Sequence, residues 1–111
     1  MTLMETWLTT YGDEIDAVVS ENDEMALGAR QAIEDGGYDI PCIGIDGITD
    51  AVAAVKEGRM IASDFQDAEG QISGAIDAAI TVLDGGEVEK EIWIPFQMIR
   101  QDNVAEFENK Y

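Results

Sequence analysis

The chain has 111 residues, 46% of them apolar, with 24 acidic and 6 basic side chains and a formal net charge of −18. That length accommodates one modest domain, and the acidity argues against nucleic acid or an anionic membrane as a partner, since both require basic patches. Histidine is absent, which removes Ser-His-Asp and Cys-His catalysis and the commonest transition-metal ligand.

In chain order, residues 3–10 read as a short helix with Leu3, Trp7 and Leu8 on one side. Ile15 to Ser20 is rich in β-formers and predicts the first strand. Asp23 is placed to cap a helix over Glu24 to Glu34, whose apolar side is Met25, Leu27, Ala29, Ala32 and Ile33, with Gly36-Gly37 as the stop. The second strand is Pro41 to Ile45. After the turn Asp46-Gly47, Thr49 or Asp50 caps a helix over Ala51 to Glu57, closed by Gly58. The third strand is Met60 to Phe65. Asp67 to Gly70 leads into a longer helix striped with Ile72, Ile76, Ala79, Ile80 and Leu83, which Gly85-Gly86 ends. The fourth strand is set at Glu91 to Ile94, with an extension past Pro95 to Ile99 left open, and Asn103 caps a short charged tail helix.

This alternation predicts parallel βα units with right-handed crossovers, in a three-layer α/β/α arrangement. Cys42 lies inside an apolar strand and is expected to be a packed, unreactive thiol. No run of about 20 apolar residues reads as a membrane span. The opening Met1-Thr2-Leu3-Met4-Glu5-Thr6-Trp7-Leu8 lacks the basic leader and apolar stretch of a signal peptide. The expectation from this segment is a cytosolic chain, or one cut from something longer.

Ligands of open α/β sheets bind beyond the carboxyl ends of the strands. The first three predicted strands deliver Asn22, Asp46 and Gln66 to one such rim. Two amides and a carboxylate offer donors and acceptors together, which suits a ligand rich in hydroxyls. Neither a nucleophile nor a poised base accompanies them, so the expectation is a binding protein and not an enzyme, with no cofactor. Helix capping is the competing role for all three, and the only one assigned to Asp23. Asp64, Asp67 and Glu69 offer oxygens for Ca²⁺ or Mg²⁺, but no loop has the EF-hand pattern, so no metal is expected. Gly44-Ile45-Asp46-Gly47 lacks both the glycine spacing and the lysine of a phosphate loop. Trp93 and Phe96 are expected in the core. Phe65 is open to either role, core or ligand-facing.

Asn22-Asp23-Glu24-Met25-Ala26-Leu27-Gly28-Ala29, Gly44-Ile45-Asp46-Gly47 and Phe65-Gln66-Asp67 occur in order and at family spacing. Together with Asp50 to Gly58 and Trp93-Ile94-Pro95-Phe96, they resemble the C-terminal portion of bacterial periplasmic sugar-binding proteins of the ribose-binding type, the receptors of ABC sugar importers. The resemblance implies a partial periplasmic-binding-protein lobe, flavodoxin-like in fold. It implies that Asn22, Asp46 and Gln66 hydrogen-bond the hydroxyls of a pentose or hexose, with Ile45 and Phe65 beside them. The family often has a ring-stacking phenylalanine where Ile45 stands. It further implies a periplasmic or lipid-anchored extracellular location and an importer permease as partner.

On this reading residues 1–66 are a truncated C-terminal lobe and residues 67–111 a returning segment, within a single domain. In the family, Gln66 lies near a hinge, and the helix and strand that follow belong to the other lobe. The first predicted strand therefore becomes an exposed edge. The stripe from Ile72 to Leu83 must fold back onto the sheet or be covered by a second copy in a homo-oligomer. The alternative reading is the effector-binding domain of a LacI-type transcription regulator, which shares the fold. A flavodoxin-like enzyme or phosphoacceptor ranks behind both, because the six basic residues, Arg30, Lys56, Arg59, Lys90, Arg100 and Lys110, read mostly as helix faces and ends.

Overall fold

A computed structural model describes residues 1–110 of the chain. The chain begins with helix α1 (Thr2–Tyr11) and a 3₁₀ turn (Gly12–Glu14). Three βα pairs follow: β1 (Val18–Val19) with α2 (Asp23–Asp35), β2 (Cys42–Asp46) with α3 (Thr49–Lys56), and β3 (Ala62–Phe65) with α4 (Ala68–Leu83). Strand β4 (Gln97–Ile99) and a second 3₁₀ turn (Val104–Glu106) complete it. The sheet order is β1-β2-β3-β4. The pairs β1–β2 and β2–β3 are parallel, as the βα rhythm requires, while β4 runs antiparallel to β3, with Ser63 opposite Ile99 and Phe65 opposite Gln97.

Helices α2 and α3 touch each other and pack on the sheet, as two right-handed crossovers between neighbouring strands direct. The buried side of α2 is Ala26, Ala29, Ala32 and Ile33; Met25, expected there, is exposed. Small residues on this face let α2 approach β2 closely. A Cβ at Gly44 would collide with the Asp23 carboxylate and lie 3.0 Å from the Ala26 methyl. The core centres on Ile33, Val55, Met60, Ile99 and the Cys42 thiol, all fully buried. Burial pushes the Cys42 pKa upward. From α1, Met4 and Leu8 join this core, one turn apart on the same face, whereas Leu3 and Trp7 stay exposed.

Four local expectations are corrected. The first strand forms only at Val18–Val19 and not over Ile15 to Ser20; it is an edge, as expected, with Val19 73% exposed. The fourth strand is Gln97–Ile99 and not Glu91 to Ile94, because Ile94 lies over the bare backbone of Gly70 and Gly74 on α4 and so stays with that helix. Trp93 is 79% exposed and Phe96 is also exposed, so neither belongs to the core. Asn103 serves the turn after β4 and does not cap a tail helix: it accepts from the Arg100 N–H and donates to the Met98 carbonyl.

The second half does not fold back over the sheet. Helix α4 has no buried residue, and Ile72, Ile76, Ile80 and Leu83 are all exposed. The α4 arm projects from the lobe, giving extents of 59 × 28 × 18 Å and a radius of gyration of 18.0 Å, against about 13 Å for a compact domain of this size. Between Gly70 and Leu83 the arm carries one charged residue, Asp77. No described helix is long and apolar enough to cross a membrane.

An ion network locks α2 to the turn after α3. Glu34 accepts two bonds from Arg59, at 3.0 and 2.8 Å, and one from Arg30 at 2.9 Å, while Arg30 also donates to the Ile40 carbonyl. Hydrogen bonds from Arg59 and then Arg30 hold the Glu34 carboxyl at about 2, below its ordinary 4.5. A depressed carboxyl pKa contributes stability above the ordinary value that is lost as pH falls toward the folded one. Urea unfolding of wild type and Glu34→Gln between pH 5 and pH 2 is therefore expected to show the smaller acid-side loss of stability in the variant.

Candidate functional site

Parallel strands end on one side of a sheet, so the residues that leave them share a rim. Asn22 follows β1, Asp46 is the last residue of β2, and Gln66 is the first after β3. All three are half-buried. Two strand spacings separate the outer pair, roughly 10 Å, a span suited to one sugar ring and its hydroxyls. The rim is linked through the backbone, because the Gln66 N–H donates to the Asp46 carbonyl at 3.1 Å.

Each side chain has a local role. Asn22 is the cap of α2, not Asp23: its Oδ1 accepts from the Met25 N–H at 2.8 Å. That bond uses the oxygen and leaves the amide NH₂ to supply donors. The Gln66 amide donates to the side chain of Gln71 at 3.2 Å. Asp46 has φ of 121°, and among the described residues it is the one non-glycine with positive φ. Ile45 is half-buried on β2. Phe65 is 2% exposed, and its ring lies 5.3 Å from that of Phe107, so it faces the core beneath the rim.

The residue that sequence reasoning undervalued is Asp23. It is fully buried at the start of α2. Its Oδ2 accepts from the N–H groups of Gly47 and Ile48 at 2.7 and 3.0 Å, and the Ser63 hydroxyl donates to the same carboxylate at 2.7 and 2.9 Å. These bonds replace the expected Thr49 or Asp50 cap, since Ile48 is the N-cap of α3 and contributes no side-chain bond. Burial raises the Asp23 pKa; the bonds from Ser63, Ile48 and Gly47 pull it down, and the Asp46 charge adds to the rise. The sequence holds a signal in the side-chain-free Gly44 within β2 and the polar Ser63 within β3.

Asp67 accepts from the Gly70 N–H at 2.9 Å and caps α4. Among the described residues no three His, Cys, Asp or Glu side chains are grouped to hold a metal ion.

A family model described as a periplasmic binding protein domain matches residues 1–87. The chain belongs to this family. Its members are binding proteins and not enzymes, and the family is periplasmic. A putative rhizopine-binding protein of Rhizobium meliloti is 46% identical over 97% of the chain, and a ribose import binding protein of Bacillus subtilis is 42% identical over 91%. The chain spans only 36% and 33% of these two relatives. Among solved structures, an ABC transporter solute-binding protein of Bacillus halodurans with bound myo-inositol superposes with a TM-score of 0.88 and 45% identity, over 99% of this chain and 38% of that one. One from Actinobacillus succinogenes with bound D-allose gives 0.90 at 25% identity, over 96% and 38%. The resemblance read from the three motifs therefore holds.

Replacing Asp23 with Ala removes the acceptor that the Gly47 and Ile48 N–H groups and the Ser63 hydroxyl share, leaving Gly47 only its longer bond to Ser63. The expected cost is roughly 2–4 kcal/mol in urea unfolding, whereas Asp23→Asn, which keeps an acceptor at Oδ2, is expected to lose less than about 1 kcal/mol.

Proposed function

We propose that this chain is the sugar- or polyol-recognising part of a periplasmic solute-binding protein, one that hands its ligand to an ABC importer. The observation that carries the reading is the delivery of Asn22, Asp46 and Gln66 to one carboxyl rim by three adjacent strands. Asn22 would donate to ligand hydroxyls, Gln66 would donate to and accept from them, and the Asp46 carboxylate would accept from them. Ile45 would flank the ring as an aliphatic surface, and Phe65 would support the rim from the core. Rings bearing several hydroxyls, such as those bound to the two structural relatives, fit this donor and acceptor set. The division into a lobe, residues 1–66, and a returning segment, residues 67–111, belongs to the same proposal.

A single rim supplies only some of the hydrogen bonds of a closed trap, each worth about 0.5–1.5 kcal/mol. Titrating the labelled chain with myo-inositol, D-allose and D-ribose is expected to give millimolar binding, with amide shifts at Asn22, Asp46 and Gln66. Asp46→Ala should weaken it most, because charge-assisted bonds are the stronger ones. Shifts confined to other residues would refute the rim as the site, and a submicromolar dissociation constant would refute the one-rim argument.

The reading extends to the arm. A helix apolar on most sides is normally covered, and for the isolated chain the cover we propose is the same stripe of a second copy, about a two-fold axis. Sedimentation equilibrium is expected to give a dimer mass for wild type and a monomer mass for Ile76→Glu. A monomeric wild type would end this part of the proposal.

A further inference from the structure

Asp46, the residue expected to carry the strongest ligand bond, stands in a backbone conformation that L-residues avoid. Its φ is 121°, and Gly47 follows at 75°. Such strain persists only where the surroundings enforce it. The enforcing group is visible. Two successive N–H groups, of Gly47 and Ile48, converge on one oxygen of Asp23 at 2.7 and 3.0 Å. Successive amides turned inward in this way form an anion-binding nest, and here the anion is a side chain of the protein itself. The Ser63 hydroxyl holds the carboxylate from β3 and lies 3.2 Å from the Gly47 nitrogen, from which it also accepts. Gly44 provides the space, since any Cβ there would overlap the carboxylate.

From this geometry we infer that Asp23 is a positioning residue for the rim: it holds the Asp46–Gly47 turn in its strained form, so that the Asp46 carboxylate stays in place to meet a hydroxyl. Asp23 directly follows Asn22, so one helix start carries a ligand-facing amide and the clamp on the ligand-facing carboxylate. The side chain acts on the ligand only through Asp46. The inference rests on the sugar-binding reading of the rim.

The test uses the ¹⁵N-labelled chain as wild type, Asp23→Ala, Asp23→Asn, Ser63→Ala and a distant control, Leu8→Ala. Three quantities are read: the HN–Hα coupling of Asp46, amide exchange at Gly47 and Ile48, and the dissociation constants for myo-inositol and D-ribose. In wild type the Asp46 coupling is expected to be small, as its φ dictates. Asp23→Ala should raise it toward the value of an extended residue, speed exchange at both amides, and weaken binding by up to about tenfold, the order of one hydrogen bond. Asp23→Asn should restore all three, and Leu8→Ala should lose stability while moving neither coupling nor affinity. A folded Asp23→Ala with an unchanged Asp46 coupling, or with a changed coupling and undiminished affinity, would overturn the inference. If Asp23→Ala does not fold, Ser63→Ala decides: faster Gly47 exchange with weaker binding supports the clamp, and wild-type values of both overturn it. Wild-type spectra that no sugar perturbs refute the sugar reading itself; an indifferent Asp23→Ala beside a responsive wild type refutes the positioning role alone.

Discussion

One carboxylate joins the ends of the parallel strands. Asp23 leaves β1 on the first turn of α2, receives the turn after β2 through two amides, and is met by a hydroxyl from the middle of β3. A buried charge is tolerated only where hydrogen bonds replace its lost hydration, and this one has them from two neighbouring elements. Among the described residues no buried side-chain polar atom lacks a partner. The same centre explains why β2 contains a glycine, why β3 contains a serine, and why α2 faces the sheet with alanines. The buried acid ties the rim together, and Asn22, Asp46 and Gln66 around it are half-buried.

The two halves of the chain follow different rules. The lobe is built as an α/β unit with its helices against the sheet and an ion network at the end remote from the rim. The arm has a well-formed helix, but Ile94 over Gly70 and Gly74 covers only a small part of it. The chain spans 38% of the structural relatives, yet the superposition includes 99% of its own residues. The arm therefore superposes on proteins that carry much more polypeptide, while its own isoleucines, Ile72, Ile76 and Ile80, stand exposed. The edge at β1 is open as well, with Val19 exposed to solvent.

Much of this was legible in the residues. Strands β2 and β3 were fixed by short apolar runs between a glycine stop and an Asp turn, and the carboxyl rim followed from chain order alone. The motifs at Asn22, Gly44 and Phe65 point to the family by sequence alone. What local pattern did not reveal was set by tertiary contacts. Glu91 to Ile94 has the composition of a strand, but Ile94 is held on α4, and pairing begins only after Pro95, which has no N–H to donate. Trp93 and Phe96 look like core residues because aromatic rings usually are, but both stand exposed on the arm, away from the core around Ile33 and Ile99. The cap was assigned to the wrong member of the Asn22-Asp23 pair. Both types cap helices well, and only the fold shows that the second is fully enclosed.

The single thiol has a consequence of its own. Cys42 sits at the start of β2, fully enclosed and with its ionisation disfavoured by burial. A thiol reagent in solution reaches it only when the sheet opens, so the rate of modification counts openings and not intrinsic reactivity. The protein thus carries a built-in clock in its second strand, one that reports breathing of the sheet without any label being introduced.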